Sequence, residues 1–162
     1  MKFKKEYIIL LVVIIGLSVY LYSRRSDRTL YQLPELTEVS AKKISKIEIT
    51  GPDEKIVLNK ADESWTIGSE AYPAADNKVR QMIESIEQLT LTALISESKN
   101  YVRYDLTEDQ KISVKAWSGG TLSRSFGIGK TDSSLKHTFV MLAEDPKVYQ
   151  AKSNIRTKFD QS

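Results

Sequence analysis

Residues 7–22 read YIILLVVIIGLSVYLY, an apolar run of 16 positions without a charge, interrupted only by Gly16 and Ser18. As a helix it rises about 24 Å, a little under the ~30 Å hydrocarbon core of a bilayer. Lys5 before it and Arg24 after it extend long stems that reach the headgroups. Tyr7, Tyr20 and Tyr22 stand at its ends, where amphipathic rings favour the membrane interface. A helix apolar on every face needs either lipid or a large protein around it, and 162 residues make one ordinary domain. The expectation is therefore a transmembrane anchor over 7–22, preceded by a basic flank over 1–6, with the lipid bilayer as a partner. A secretory signal peptide competes with this reading, because Lys2, Lys4 and Lys5 would serve as its basic region. However, no small-residue cleavage site follows; the run passes straight into Ser23-Arg24-Arg25. Cations flank the run three to each side, so the α-amino group and the N-terminal flank decide orientation. The expected topology is single-pass in the cell membrane, N-terminus cytoplasmic and C-terminal domain extracytoplasmic.

Charge narrows the rest. The chain holds 24 Lys and Arg against 21 Asp and Glu. Residues 1–28 contain six of those cations and two of the anions, leaving 18 and 19 for the remainder. The basic balance thus belongs to the membrane-proximal segment, and a folded part near neutrality does not read as a nucleic-acid-binding domain. With no Cys, disulfides, thiolate metal sites, Cys nucleophiles and lipoprotein processing are excluded. A single His excludes a multi-histidine site within one chain.

Residues 23–41 are polar with scattered Leu and Pro34, and read as a juxtamembrane linker. From 42 onward apolar residues alternate. Ile44, Ile47 and Ile49 mark a first strand closed by Gly51-Pro52; 55–59 and 64–67 follow as two more, the last carrying Trp65. The period then lengthens. Asp76 is placed to cap a helix whose apolar face is Val79, Met82, Ile83, Ile86 and Leu89. Strand signals return at 92–96, 111–116, 122–128, 138–142 and 148–150, with turns at Ser118-Gly119-Gly120-Thr121 and Asp145-Pro146. The implied fold is α+β over 42–162: a predominantly antiparallel sheet, β-β-β-α-β then β-β-β-β, with one main amphipathic helix.

Few residues suggest chemistry. Gly127-Ile128-Gly129-Lys130-Thr131 ends like a phosphate-binding loop, but Arg124 stands where that loop needs its first Gly and no helix follows. Nucleotide binding is not expected. His137 has no ligand-type neighbours and reads as a surface or internally satisfied residue. Paired acids at 53–54, 62–63, 108–109 and 144–145 all fall in expected turns, where solvated carboxylates are ordinary. Trp65 reads as core. Tyr101, Arg103, Tyr104 and Trp117 remain as a candidate partner contact.

These segments also resemble a known family. The stretch IVLNKADESWTIG, then Tyr72-Pro73-Ala74-Ala75-Asp76 and the helix, is similar to the opening of the bacterial "domain of unknown function 4340" family. That family shows a hairpin ending in Trp, a Pro-Ala-Asp entry to a helix, a Tyr-Gly-Leu segment, two strands and an Ile-Gly turn. Trp65, Pro73 and Asp76 match the first two features. Tyr104-Asp105-Leu106 matches the third with Asp in place of Gly, and Ile128-Gly129 matches the turn. The Pro usual soon after that Leu is missing; Asp109 lies there. Val148-Tyr149 looks like the closing strand, so the resemblance covers roughly 44–155. It implies the fold and no catalytic or cofactor-binding residues. Some members of the family are linked to ABC-type transport systems, including gliding motility.

The expected function is a membrane-anchored, non-enzymatic extracytoplasmic module that binds a protein partner in an envelope or ABC-type transport complex. A surface-polymer-binding module using Trp117, Tyr101 and Tyr104 is the alternative, and an enzyme of unrecognised type a minor one. No cofactor or metal is expected.

Overall fold

A computed structural model describes residues 5–25 and 31–160. The basic residues at 2 and 4 lie outside the described residues, as do the side chains at 6, 8 and 22–25. The chain forms two compact units, 1–32 and 33–162.

The first unit contains α1, Lys5–Arg25, a continuous helix of 21 residues. Its described apolar side chains, from Ile9 to Leu21, are all exposed. Among the described residues no helix is long and apolar enough to cross a membrane. Described side chains run unbroken only over 9–21, about 20 Å of helical rise. The span expected over 7–22 includes positions 8 and 22, whose side chains are outside the described residues.

The second unit is the α+β domain, and its sheet is antiparallel at every pairing. Its strands are β1 Ile44–Thr50, β2 Lys55–Ala61, β3 Ser64–Ile67, β4 Tyr72–Pro73, β5 Leu91–Ser96, β6 Ile112–Ser118, β7 Thr121–Thr131, β8 Thr138–Leu142 and β9 Val148–Ala151. They form one nine-stranded sheet in the order β4-β3-β2-β1-β6-β7-β8-β9-β5. Helix α2, Asp76–Glu87, follows β4 and precedes β5, so it joins the two opposite edges of that sheet.

Alternation explains which face α2 covers. Residues two apart on each strand point the same way. The register then lines up rows across the sheet: Leu58–Ile47–Ala116–Arg124, and Ile56–Ile49–Val114–Phe126–Leu142. A third row runs Ile112–Ile128–Val140–Tyr149–Leu94. Val79, Met82 and Ile86 of α2 pack against this inner face, with Phe159 from the short helix α3, Arg156–Phe159. Phe126 and Phe159 meet edge to face at 6.3 Å between centroids. A smaller apolar cluster sits elsewhere, where Tyr104, Leu106 and Val148 pack with Phe139 and Met141.

The structure adjusts several expectations. β4 joins the three strands expected before the helix; its two residues are too few to show a period, and pairing alone defines it. Asp76 is the first helical residue rather than the cap. Ala75 holds the cap position without a side-chain bond, while the Asp76 carboxylate sits in the first turn, where the helix dipole favours it. The helix ends at Glu87, before Leu89, which is nonetheless buried. The domain begins at Leu33, not at 42. Leu33 and Leu36 pack against the core and Val39 is buried in it, so 33–41 lies on the domain as a strap. Scattered apolar residues in a non-periodic segment read as linker but bury individually.

Candidate functional site

The four residues expected to form a partner contact do not come together. Tyr101, Arg103 and Tyr104 share one 3-10 turn, Tyr101–Tyr104. Trp117 pairs with Leu122 near the start of β7, whereas Tyr104 lies against Gly129 near the end of that strand. Seven strand residues separate the two places, on the order of 20 Å.

Each residue has its own local role. Tyr104 is a buried residue whose ring meets Phe139 edge to face, with centroids 5.0 Å apart. Tyr101 donates its hydroxyl to the Pro146 carbonyl at 3.0 Å, tying the turn to the β8–β9 connection. Arg103 is exposed. Trp117 is half-buried, with the Lys46 ammonium 4.8 Å above its ring centre. A polymer-binding platform built from Trp117, Tyr101 and Tyr104 therefore lacks a common surface.

The region around Tyr104 is closed by backbone contact. Asp105 follows the 3-10 turn in the left-handed region, φ 54° and ψ 42°, which reverses the chain and sends Leu106 inward. Gly129 lies beneath. A Cβ there would stand 2.9 Å from Leu106 Cγ and closer still to the Tyr104 carbonyl oxygen. Only glycine admits that approach.

Among the described residues Arg124 is the one buried cation of the core. Its Nη1 donates to the Ile86 carbonyl in the last turn of α2, and its Nη2 donates to the Thr37 carbonyl of the 33–41 strap. The negative end of the helix dipole suits a guanidinium. Burial lowers its pKa from the ordinary arginine value, but a guanidinium keeps its charge. Glu87 completes the fastening, accepting from the Ala41 N–H at 2.8 Å. Arg124 was visible in the sequence only as a departure from a phosphate-loop pattern. Its anchoring role had no sequence signal, because its partners are carbonyls of remote segments.

The remaining candidates are accounted for locally. Gly127, Gly129, Lys130 and Thr131 all lie within β7, so no phosphate-cradling loop forms. His137 Nδ1 is 3.0 Å from the Lys152 carbonyl oxygen and 3.2 Å from that of Ala151. Asp145 accepts from the Tyr149 hydroxyl at 2.6 Å and from the Lys147 N–H at 3.0 Å. Tyr149 is buried, and that burial, then the bond to Asp145, raises its pKa well above the usual value. Among the described residues no group of three or more His, Asp and Glu is arranged to hold a metal ion.

A different feature emerges at the sheet edges. β4 closes one edge with two residues, one of them Pro73, which cannot donate to a further strand. β5 forms the other edge with six residues, Leu-Thr-Ala-Leu-Ile-Ser, carrying no charge and no proline. Edge strands usually bear such blocking residues. β5 is the best candidate interface on the domain. Its sequence showed the strand, but its edge position is a property of strand order.

The family model described as Domain of unknown function (DUF4340) matches residues 65–162. The chain belongs to this family. No curated protein and no solved structure matches it. The match starts at Trp65, leaving β1 and β2 ahead of it, and runs through α3. The geometry accounts for two DUF4340 features. The Tyr-Gly-Leu position occupied here by Asp105 is left-handed, where Asp is among the few tolerated side chains. The glycine of the Ile-Gly pair is the residue that fits under the Tyr104 carbonyl. The two motifs are halves of one contact.

Proposed function

We propose that this chain is a membrane-tethered, non-enzymatic module whose domain lies outside the cytoplasm and binds a protein partner of an envelope or ABC-type transport complex. Residues 7–22 serve as its anchor, supported by an apolar run that carries no charge from Tyr7 to Ser23. The links of some DUF4340 members to ABC-type systems supply the class of partner. The observation that carries the binding reading is the β5 edge, six residues without a charge or a proline. An extended segment of the partner would add to it as a tenth strand, with main-chain hydrogen bonds providing affinity and neighbouring side chains selectivity.

The test is purification of the tagged full-length protein from its own membranes in mild detergent, with mass spectrometry of what accompanies it. Reproducible recovery of an ABC permease or ATPase, abolished by Thr92→Lys on the exposed part of β5, is the expected result. Recovery of nothing beyond an anchor-only control overturns the reading. A reporter fused after Ser162 and active only in the cytoplasm overturns the topology.

A further inference from the structure

The inner face of the sheet is not filled evenly. Between β1–β4 and the start of α2 lies a cleft of about 310 Å³, within the range of small-molecule sites. Its floor is apolar: Ile49, Leu58, Val79 and Met82, each almost fully buried, with Ile56 beside them. Ile67 forms part of one wall. The single charged group lining it is Lys78, on the first turn of α2. Lys78 is exposed, and among the described residues its ammonium has no ion-pair or hydrogen-bond partner, while its backbone N–H donates to the Ala75 carbonyl at 2.9 Å. Ile49 and Ile56 also line a second cleft of about 550 Å³ running toward α3. Its charged groups are Asp53, Glu54 and Asp160 against Arg156, so that end is net negative.

We propose that this cleft binds a single-chain fatty acid, its hydrocarbon tail on the Ile49–Ile56 floor and its carboxylate at Lys78. Three features select that occupant. The floor offers no hydrogen-bonding side chain, so the bound body is hydrocarbon. The one cation stands at the rim and unpaired, so the head is an anion. The acids of the adjoining cleft repel a negative head, which fixes the direction of the chain. A cleft of this volume suits one acyl chain better than the two of a phospholipid. The site is separate from the β5 edge, which lies at the opposite side of the sheet from β4, and does not depend on the partner-binding reading.

The experiment measures binding of radiolabelled palmitate to full-length protein in lipid nanodiscs, corrected by empty nanodiscs. Saturable binding of one palmitate per chain is expected. Lys78→Gln should weaken it at least tenfold, and Lys78→Arg should restore most of it. Ile67→Trp, which fills the cleft from a partly exposed position, should abolish it. Thermal unfolding of each variant, unchanged within a few degrees, shows that the fold is intact. The proposal is overturned by palmitate binding no greater than that of empty nanodiscs, or by equal affinity in wild type and Lys78→Gln. Equal affinity for palmitate and its uncharged methyl ester also overturns it, as does preference for a two-chain phosphatidic acid.

Discussion

At Gly129 there is no room for one methyl group, whereas between α2 and β1–β4 a cleft of about 310 Å³ stands open. The two places belong to the same sheet and differ in what covers it. At Gly129 the cover is backbone: the Tyr104 carbonyl, delivered by the left-handed turn at Asp105, sits directly on the strand. At the cleft the cover is a helix, whose side chains hold its axis roughly 10 Å from the sheet and leave gaps wherever they are short. Ala74 and Ala75, on the approach to the helix, line the gap here. Close packing fixes the register of the C-terminal strands; loose packing leaves a place for a ligand.

That contrast can be broken most severely at its tight end. Gly129→Ala should destabilise the domain by about 3 kcal/mol or more, because the Cβ meets backbone rather than a movable side chain. Equilibrium denaturation in urea measures it. A loss under 1 kcal/mol would mean that the turn over Gly129 relaxes freely. Arg124→Met should cost about 2–3 kcal/mol by leaving the Ile86 and Thr37 carbonyls without their donor. The same variant should free the strap, and limited proteolysis within 33–41 reads this directly. At Asp105 the sign depends on the replacement. Asp105→Val should cost about 1–2 kcal/mol in the left-handed region, while Asp105→Gly should fall within about 0.5 kcal/mol of wild type. Substitution in the loose region should matter least: Ile67→Ala, at a residue already 37% exposed, should change stability by less than about 1 kcal/mol.

Titration probes the packed inner face separately. The pKa of Tyr149 is raised above its ordinary 10.0. The folded chain therefore keeps that proton after the unfolded chain has lost it. The resulting stability is full below pH 10 and declines as pH rises beyond it. Denaturation midpoints followed from pH 8 to 11 should fall in wild type, and less steeply in Tyr149→Phe.

Much of this architecture is legible in the sequence, and the exceptions share a cause. Ile44, Ile47 and Ile49 announced β1, and Val79, Met82 and Ile86 announced α2, because periodic burial writes a periodic sequence. β4 and α3 contribute two and four residues, too few for any period. The 33–41 strap is held by single apolar side chains and by carbonyls, which carry no residue signature. Tyr104 read as a surface aromatic because its burial depends on a turn at Asp105 that brings residues 104 and 129 together. The β5 edge was hidden for a similar reason: strand identity is local, and position in a sheet is not.

The pairing of β1 with β6 carries a consequence in time. Ile47 faces Ala116, 69 residues further along the chain. At a synthesis rate of about 5–20 residues per second, β1 waits several seconds for that neighbour. Throughout that interval the edge of β1 that will pair with β6 offers an unmet row of amide and carbonyl groups. A chain stalled before residue 112 would keep this row bare, and nascent copies emerging together would be at their most adhesive. Only the arrival of β6 covers that edge of β1.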